Sequence, residues 1–234
     1  MELRLPPAGD ASDALHAEFA ATGRCTIPGV LADGDADRLA SYLEKHQGWY
    51  RIRGFDKNRF DLLPEAERDT DSQVQADHAE IDRYIADDSS QTFAFLYDAL
   101  PMIPAALAGE PGSPLAALRQ ALIAFAPELA MLTGLPLSGK VEVQATRYRT
   151  GDFLSRHHDG PSDDRKVAMV LGLTRDWCVD WGGNLLFAQG DRLSGYSPGW
   201  NRLDLFQVPQ DHSVTRVTSS APAPRLAVSG WFLG

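Results

Sequence analysis

The spacing of apolar side chains changes character near Pro136. Before it, they recur at helical intervals. Leu15 and Phe19 lie one turn apart in residues 12–21, and Gly23 closes that segment. Ala36, Leu39, Ala40 and Leu43 form a stripe that predicts a helix over residues 35–45. Residues 54–72 are charged and lack a period, which predicts a loop, and a polar helix is expected over residues 74–86. Phe93, Phe95 and Tyr97 alternate, as in a strand or an extended packing segment. Ser113-Pro114 reads as a helix start, a capping hydroxyl followed by proline at the first helical position. Leu115, Leu118, Leu122 and Phe125 mark the buried face of that helix. Pro127 is expected to break or restart it, and Gly134 to end it.

After Pro136 the period drops to two. Strands are expected over residues 141–148, 167–173, 184–187, 202–208, 212–217 and 225–233, with a short earlier one at Cys25-Thr26-Ile27. Short strands separated by turn residues indicate a β-sandwich or barrel, of which the double-sheet jelly roll is one solution. On the last strand, Arg225, Ala227, Ser229, Trp231 and Leu233 share one face. The 234 residues suffice for one large β-rich domain or two small ones.

The net charge of −10 argues against a nucleic-acid footprint, and no Lys/Arg run suggests a local one. Cys25 and Cys178 form no CxxC, so neither a zinc finger nor a disulfide framework is expected. The start of the chain has no long apolar core, and no segment approaches the ~18 apolar residues of a membrane span. These features predict a cytoplasmic protein without membrane contact. Oligomeric state leaves no trace in the residues.

The candidate chemistry lies in the β-rich half. His157 and Asp159 flank one residue, so an extended backbone would project both from the same face. His212 follows a Pro209-Gln210-Asp211 turn and begins a strand. Two histidines and one carboxylate on one side of a metal form the facial set of non-haem iron(II) sites. His158 points off that face and is not expected to ligate. His16, His46 and His78 sit in polar helical surroundings and read as surface or packing residues. Arg225 directed into a barrel would be an expensive buried charge unless paired. A bound carboxylate could supply that partner through two parallel hydrogen bonds, as could a protein Asp or Glu at the rim.

The order of motifs carries a resemblance. It runs from Tyr148-Arg149-Thr150-Gly151-Asp152-Phe153-Leu154 to His157-x-Asp159. Trp177 and Trp181-Gly182-Gly183 come next, then Pro209-Gln210-Asp211-His212-Ser213-Val214, then Arg225-Leu226-Ala227-Val228-Ser229-Gly230-Trp231. This resembles the prolyl-hydroxylase-like branch of the 2-oxoglutarate- and Fe(II)-dependent dioxygenases, strongly over residues 140–234 and loosely before them.

The resemblance implies an α+β fold, mainly β: a double-stranded β-helix with an N-terminal helical layer packed on one sheet. It implies one domain over residues 1–234, with helical support in 1–136 and the metal-bearing core in 137–234. The iron ligands would be His157, Asp159 and His212. Arg225 would hold the far carboxylate of 2-oxoglutarate, with Tyr148 and Ser229 nearby and Trp231 as a pocket aromatic. Fe(II), 2-oxoglutarate and O2 would be required, with ascorbate as a supporting reductant. The implied reaction is hydroxylation of a prolyl or related amino-acid residue, free or in a peptide or protein, with release of succinate and CO2. Asp159 argues against a halogenase, whose relatives lack that carboxylate. Met169-Val170-Leu171-Gly172-Leu173 departs from the pattern, because many relatives carry a polar group there to assist the arginine. Trp177, Trp181 and the glycine pair read as packing and turn residues. Residues 54–72 and 151–165 are candidate lids. Two other readings stay open: a cupin-like metal dioxygenase or isomerase that does not use 2-oxoglutarate, and a non-catalytic β-sandwich binding module.

Overall fold

The change of period at Pro136 separates helix-rich from strand-rich chain, yet the first half also supplies strands. The computed structural model describes residues 1–7, 9–55, 60–64, 70–87, 93–101, 112–160 and 164–234. Its helices are α1 (Asp10–Thr22), α2 (Asp33–Lys45), α3 (Asp71–Asp87) and α4 (Pro114–Thr133). In the first half lie β1 (Arg24–Pro28), β2 (Tyr50–Gly54), β3 (Phe60–Pro64) and β4 (Phe95–Pro101). The second half holds β5 (Val141–Tyr148), β6 (Phe153–His157), β7 (Arg165–Leu173), β8 (Leu185–Gln189), β9 (Arg192–Tyr196), β10 (Trp200–Gln207), β11 (His212–Val214) and β12 (Arg225–Leu233).

The strands pair antiparallel in the order β1-β10-β7-β12-β5-β4-β6-β11-β8-β9, with β2 on β4 and β3 on β2. The sheet curls on itself. Leu185 and Phe187 of β8 pack with Ala168 of β7, Phe206 of β10 and Trp231 of β12, which lie far away along the pairing order. Two layers therefore face each other, as a jelly roll requires. Alternation sorts the side chains of β12: Leu226, Val228 and Phe232 enter the core beneath the helices, while Arg225, Ser229 and Trp231 line the interior cavity. The helical layer closes that core with Leu39 and Leu43 of α2 and Leu118, Leu122, Phe125 and Leu129 of α4.

The termini of α1 and α4 follow the expected signals. Ser113 accepts a hydrogen bond from the Ala116 N–H at 3.2 Å, and Gly23 and Gly134 close α1 and α4 in the left-handed region. Three expectations need correction. Residues 54–72 are not a plain loop, because Phe60–Pro64 pairs along Tyr50–Gly54 to make a hairpin. A short charged hairpin shows little periodicity, and its strand character comes from β4, on which β2 lies.

Pro127 does not break α4. A proline inside a helix costs ~3 kcal/mol. Leu122, Phe125 and Ala126 before it and Leu129 and Leu132 after it are all buried. Burial contributes ~1.5–3 kcal/mol for each large side chain, enough to offset the break. The same helix is long and apolar enough by composition to cross a membrane, contrary to the reading of the sequence, and its apolar face packs in the core.

Candidate active site

The fold brings His157, Asp159 and His212 together, and one ligand atom from each lies within 4.8 Å of the others. The first ends β6 and the last begins β11, and these two residues are direct cross-strand partners. Their rings lie 4.1 Å apart, centroid to centroid. Asp159 reaches them by another route than strand alternation. β6 stops at His157, and Asp159 adopts a φ of 56°, in the left-handed region. A non-glycine residue there is uncommon and strained, and such strain concentrates at functional sites.

Backbone carbonyls set the histidine tautomers. His157 Nδ1 lies 2.9 Å from the Ser155 carbonyl, and His212 Nδ1 lies 2.8 Å from the Gln210 carbonyl. With each Nδ1–H donating, each Nε2 is the ring nitrogen left to face the site. Those Nε2 atoms stand 3.3 Å and 3.5 Å from the two Asp159 oxygens. Burial and the neighbouring His157 push the His212 pKa down to about 4, which keeps its imidazole neutral at pH 7. Burial opposes ionisation of Asp159, but hydrogen bonding to His157, the nearby His212 and the Trp231 N–H together bring its pKa to about 2. Two imidazole nitrogens and a carboxylate converge on one point, where a cation can lie between them. The donor set therefore fits a divalent metal with open positions opposite. His158 is excluded from the set, because its Nδ1 accepts the Gly160 N–H at 3.2 Å. His16 caps the Leu132 carbonyl, and His78 faces Asp152.

A cavity of about 390 Å³ opens beside the three donors. Arg225 lies in its wall at 4 % exposure, and no carboxylate of a described residue pairs with it. Asp204 is close enough to act on it electrostatically but is already held by Arg202, through bonds of 2.7 Å and 3.0 Å. Burial pulls the Arg225 pKa below the usual range, as expected for an under-compensated cation. Its guanidinium sits 5.0 Å from the Tyr148 ring centroid and interacts with the phenol. Burial pushes the Tyr148 pKa up, so the hydroxyl stays protonated and can donate. Ser229 shares the cavity wall with Arg225, and Trp231 stands near the metal donors.

The glycine pair has a spatial reason. Gly183 has φ 66°, and a Cβ there would stand 3.0 Å from Arg225 Cδ, while a Cβ on Gly182 would meet the Arg216 carbonyl at 1.9 Å. Trp177 donates to the Gly182 carbonyl and packs edge-on against Trp181, in the packing role expected of both.

Sequence reasoning missed the opposite wall as part of the site. Phe93, Phe95, Tyr97 and Tyr148 form a ladder with centroid spacings of 5.2, 5.8 and 5.1 Å, and Phe93 also lies 5.2 Å from the His157 ring. The alternation of Phe93, Phe95 and Tyr97 was the available signal. Arg165 and Glu142 were also missed. Of the candidate lids, residues 56–59, 65–69 and 161–163 lie outside the described residues.

Comparison with known proteins agrees with this geometry. Residues 143–233 match the family model of the 2OG-Fe(II) oxygenase superfamily. Over 119 residues the chain is 30 % identical to the Mus musculus protein named prolyl 3-hydroxylase OGFOD1, a match covering 47 % of this chain and 22 % of that protein. This chain thus corresponds to less than a quarter of that relative's length. A Pseudomonas putida prolyl-4-hydroxylase shares the fold with a TM-score of 0.60 and 20 % identity, covering 95 % of this chain and 98 % of that one. The epimerase SnoN from nogalamycin biosynthesis shares it with a TM-score of 0.59 and 16 % identity, covering 94 % and 81 %. The fold alone thus accommodates more than one reaction. Residues 143–233, which contain the three converging donors and the buried arginine, thus resemble the 2OG-Fe(II) oxygenase superfamily.

Proposed function

We propose that this protein is a hydroxylase acting on a prolyl or related amino-acid residue, free or within a peptide or protein, that consumes 2-oxoglutarate and O2 and releases succinate and CO2. The observation that carries this reading is the pairing of two features in one cavity. Three metal-type donors converge at one place, and a buried arginine without a carboxylate partner among the described residues lies in the same wall. A cupin-like enzyme that does not use 2-oxoglutarate has no use for that cation, and a binding module has no use for the donor set.

His157, Asp159 and His212 would hold Fe(II), which when bound supplies the oxidising chemistry. Arg225 would grip the distal carboxylate of 2-oxoglutarate with its planar fork. Tyr148 would add a phenol hydrogen bond, and Ser229 lies on the same wall to bound that end of the cosubstrate. The Phe93–Phe95–Tyr97 ladder offers an apolar surface beside His157 for the residue to be hydroxylated. Its rings exclude water and suit a compact aliphatic ring better than a charged side chain. A cytoplasmic location and ascorbate as supporting reductant belong to the same reading.

The test is a screen of proline-containing peptides with Fe(II) and 2-oxoglutarate, reading succinate release and, by mass, the gain of one oxygen atom. His157→Ala and His212→Ala should each abolish succinate release. Full turnover in either variant would refute the ligand assignment.

A further inference from the structure

Asp159 is the strained member of the triad, and one neighbouring group is placed to steady it. The Trp231 indole Nε1 donates to Asp159 Oδ2 at 3.0 Å. Among the described residues, this is the one hydrogen bond that the carboxylate receives from outside the triad. It engages Oδ2 and leaves Oδ1, 3.3 Å from His157 Nε2, as the oxygen free to donate to a metal.

The indole is itself held from behind. The Arg165 guanidinium carbon stands 3.6 Å over the Trp231 ring, a cation–π contact at close range. Glu142 in turn fixes the guanidinium. Its Oε2 accepts from Arg165 Nε at 3.1 Å and from Nη2 at 2.9 Å. The strands enforce this order, since Glu142 of β5 is the cross-strand partner of Trp231 on β12, and Arg165 of β7 pairs with Leu233 two residues further along. The row runs from a Glu142 side chain at 50 % exposure, through Arg165 at 28 %, to an Asp159 side chain at 8 %.

We propose that Glu142 and Arg165 are positioning residues that act through the Trp231 indole to pin Asp159 Oδ2, so that the carboxylate presents a single oxygen to the metal. The inference rests on the metal-site reading above. An indole held only at its N–H could swing out of line. A guanidinium laid flat on its face, and itself tethered by a carboxylate, removes that freedom. Partners that orient a ligand in this way are worth about 10- to 100-fold in metal affinity.

The experiment is a titration of the metal-stripped 234-residue chain with Co(II), followed by visible absorption, with thermal melting as the check on folding. The wild-type chain should bind one Co(II). If it binds none, the metal-site reading fails, and the inference falls with it. Given binding, Trp231→Phe should weaken it about 10-fold. Arg165→Met and Glu142→Gln should each weaken it by about 3-fold. Because the arginine acts through the indole, the double variant Arg165→Met/Trp231→Phe should bind no worse than Trp231→Phe alone. Wild-type affinity in Trp231→Phe, or full additivity in the double variant, would overturn the proposal while leaving the metal site standing. Should Trp231→Phe fail to fold, Glu142→Gln decides by itself, since its half-exposed side chain can change without opening the core, and unchanged Co(II) affinity there would refute the relay.

Discussion

Arg51 and Arg225 are both buried in this fold, and their surroundings are opposite. Arg51, on β2, is fully enclosed and paired with carboxylates. Its Nη1 donates to Asp98 at 3.1 Å and to Asp152 at 2.7 Å, and its Nη2 donates to Asp152 at 2.6 Å. Burial alone would lower its pKa, but Asp152 and Asp98 outweigh it and drive the pKa above the usual range. Arg225, on β12, is nearly as buried, yet its pKa shifts the other way. Its closest acidic influence, Asp204, is committed to Arg202. The first arginine closes a network that joins β2, β4 and the β5–β6 turn. The second is under-compensated beside an open cavity. A buried cation answered by the protein's own carboxylates is part of the scaffold, and one left unanswered beside a cavity calls for an anion from outside.

That contrast can be broken from either side. The largest effect is expected at the answered arginine. Arg51→Met leaves Asp98 and Asp152 facing each other without their shared cation, and should lower unfolding free energy by about 3–5 kcal/mol in denaturant titration. Arg225→Met should behave in the opposite way. It removes a burial cost that Asp204, already held by Arg202, offsets only in part, so the stability of the protein without cosubstrate should hold or rise. Truncating one side of a buried charge pair costs about 2–5 kcal/mol, so the 2-oxoglutarate requirement of that variant should rise at least ~30-fold. An unchanged requirement would make Arg225 structural, like Arg51. A smaller shift is expected for Tyr148→Phe. Losing one hydrogen bond worth about 0.5–1.5 kcal/mol should raise the 2-oxoglutarate requirement by ~2- to 12-fold, read from initial rates of succinate release.

The two arginines also differ in how far the sequence reveals them. Arg225 is legible because strand alternation puts it on one face with Ser229 and Trp231, and a charged residue on an inward face is conspicuous. Arg51 is not, because its partner Asp152 is 101 residues away and only the curled sheet brings them together. The same distinction runs through the site. His157, Asp159 and His212 are recognisable as donor types in the right order. The way they meet is not, since Asp159 arrives through a left-handed backbone rather than along a strand. Trp231 stands out as a pocket aromatic, but Glu142 and Arg165 look like ordinary surface charges until β5, β12 and β7 lie side by side. The helices with strong apolar stripes, such as α2, match their expected spans within a few residues. The β2–β3 hairpin and the unbroken α4 do not, because packing against the rest of the fold decides both.

Under the proposed function, Arg225 is the cation that an external dicarboxylate must satisfy. Calorimetric titration of 2-oxoglutarate into the Mn(II)-loaded protein, under conditions that exclude turnover, tests it most directly. Saturable one-to-one binding by the wild-type chain is expected, with an affinity at least ~30-fold weaker in Arg225→Met. Equal binding by the two proteins would contradict it.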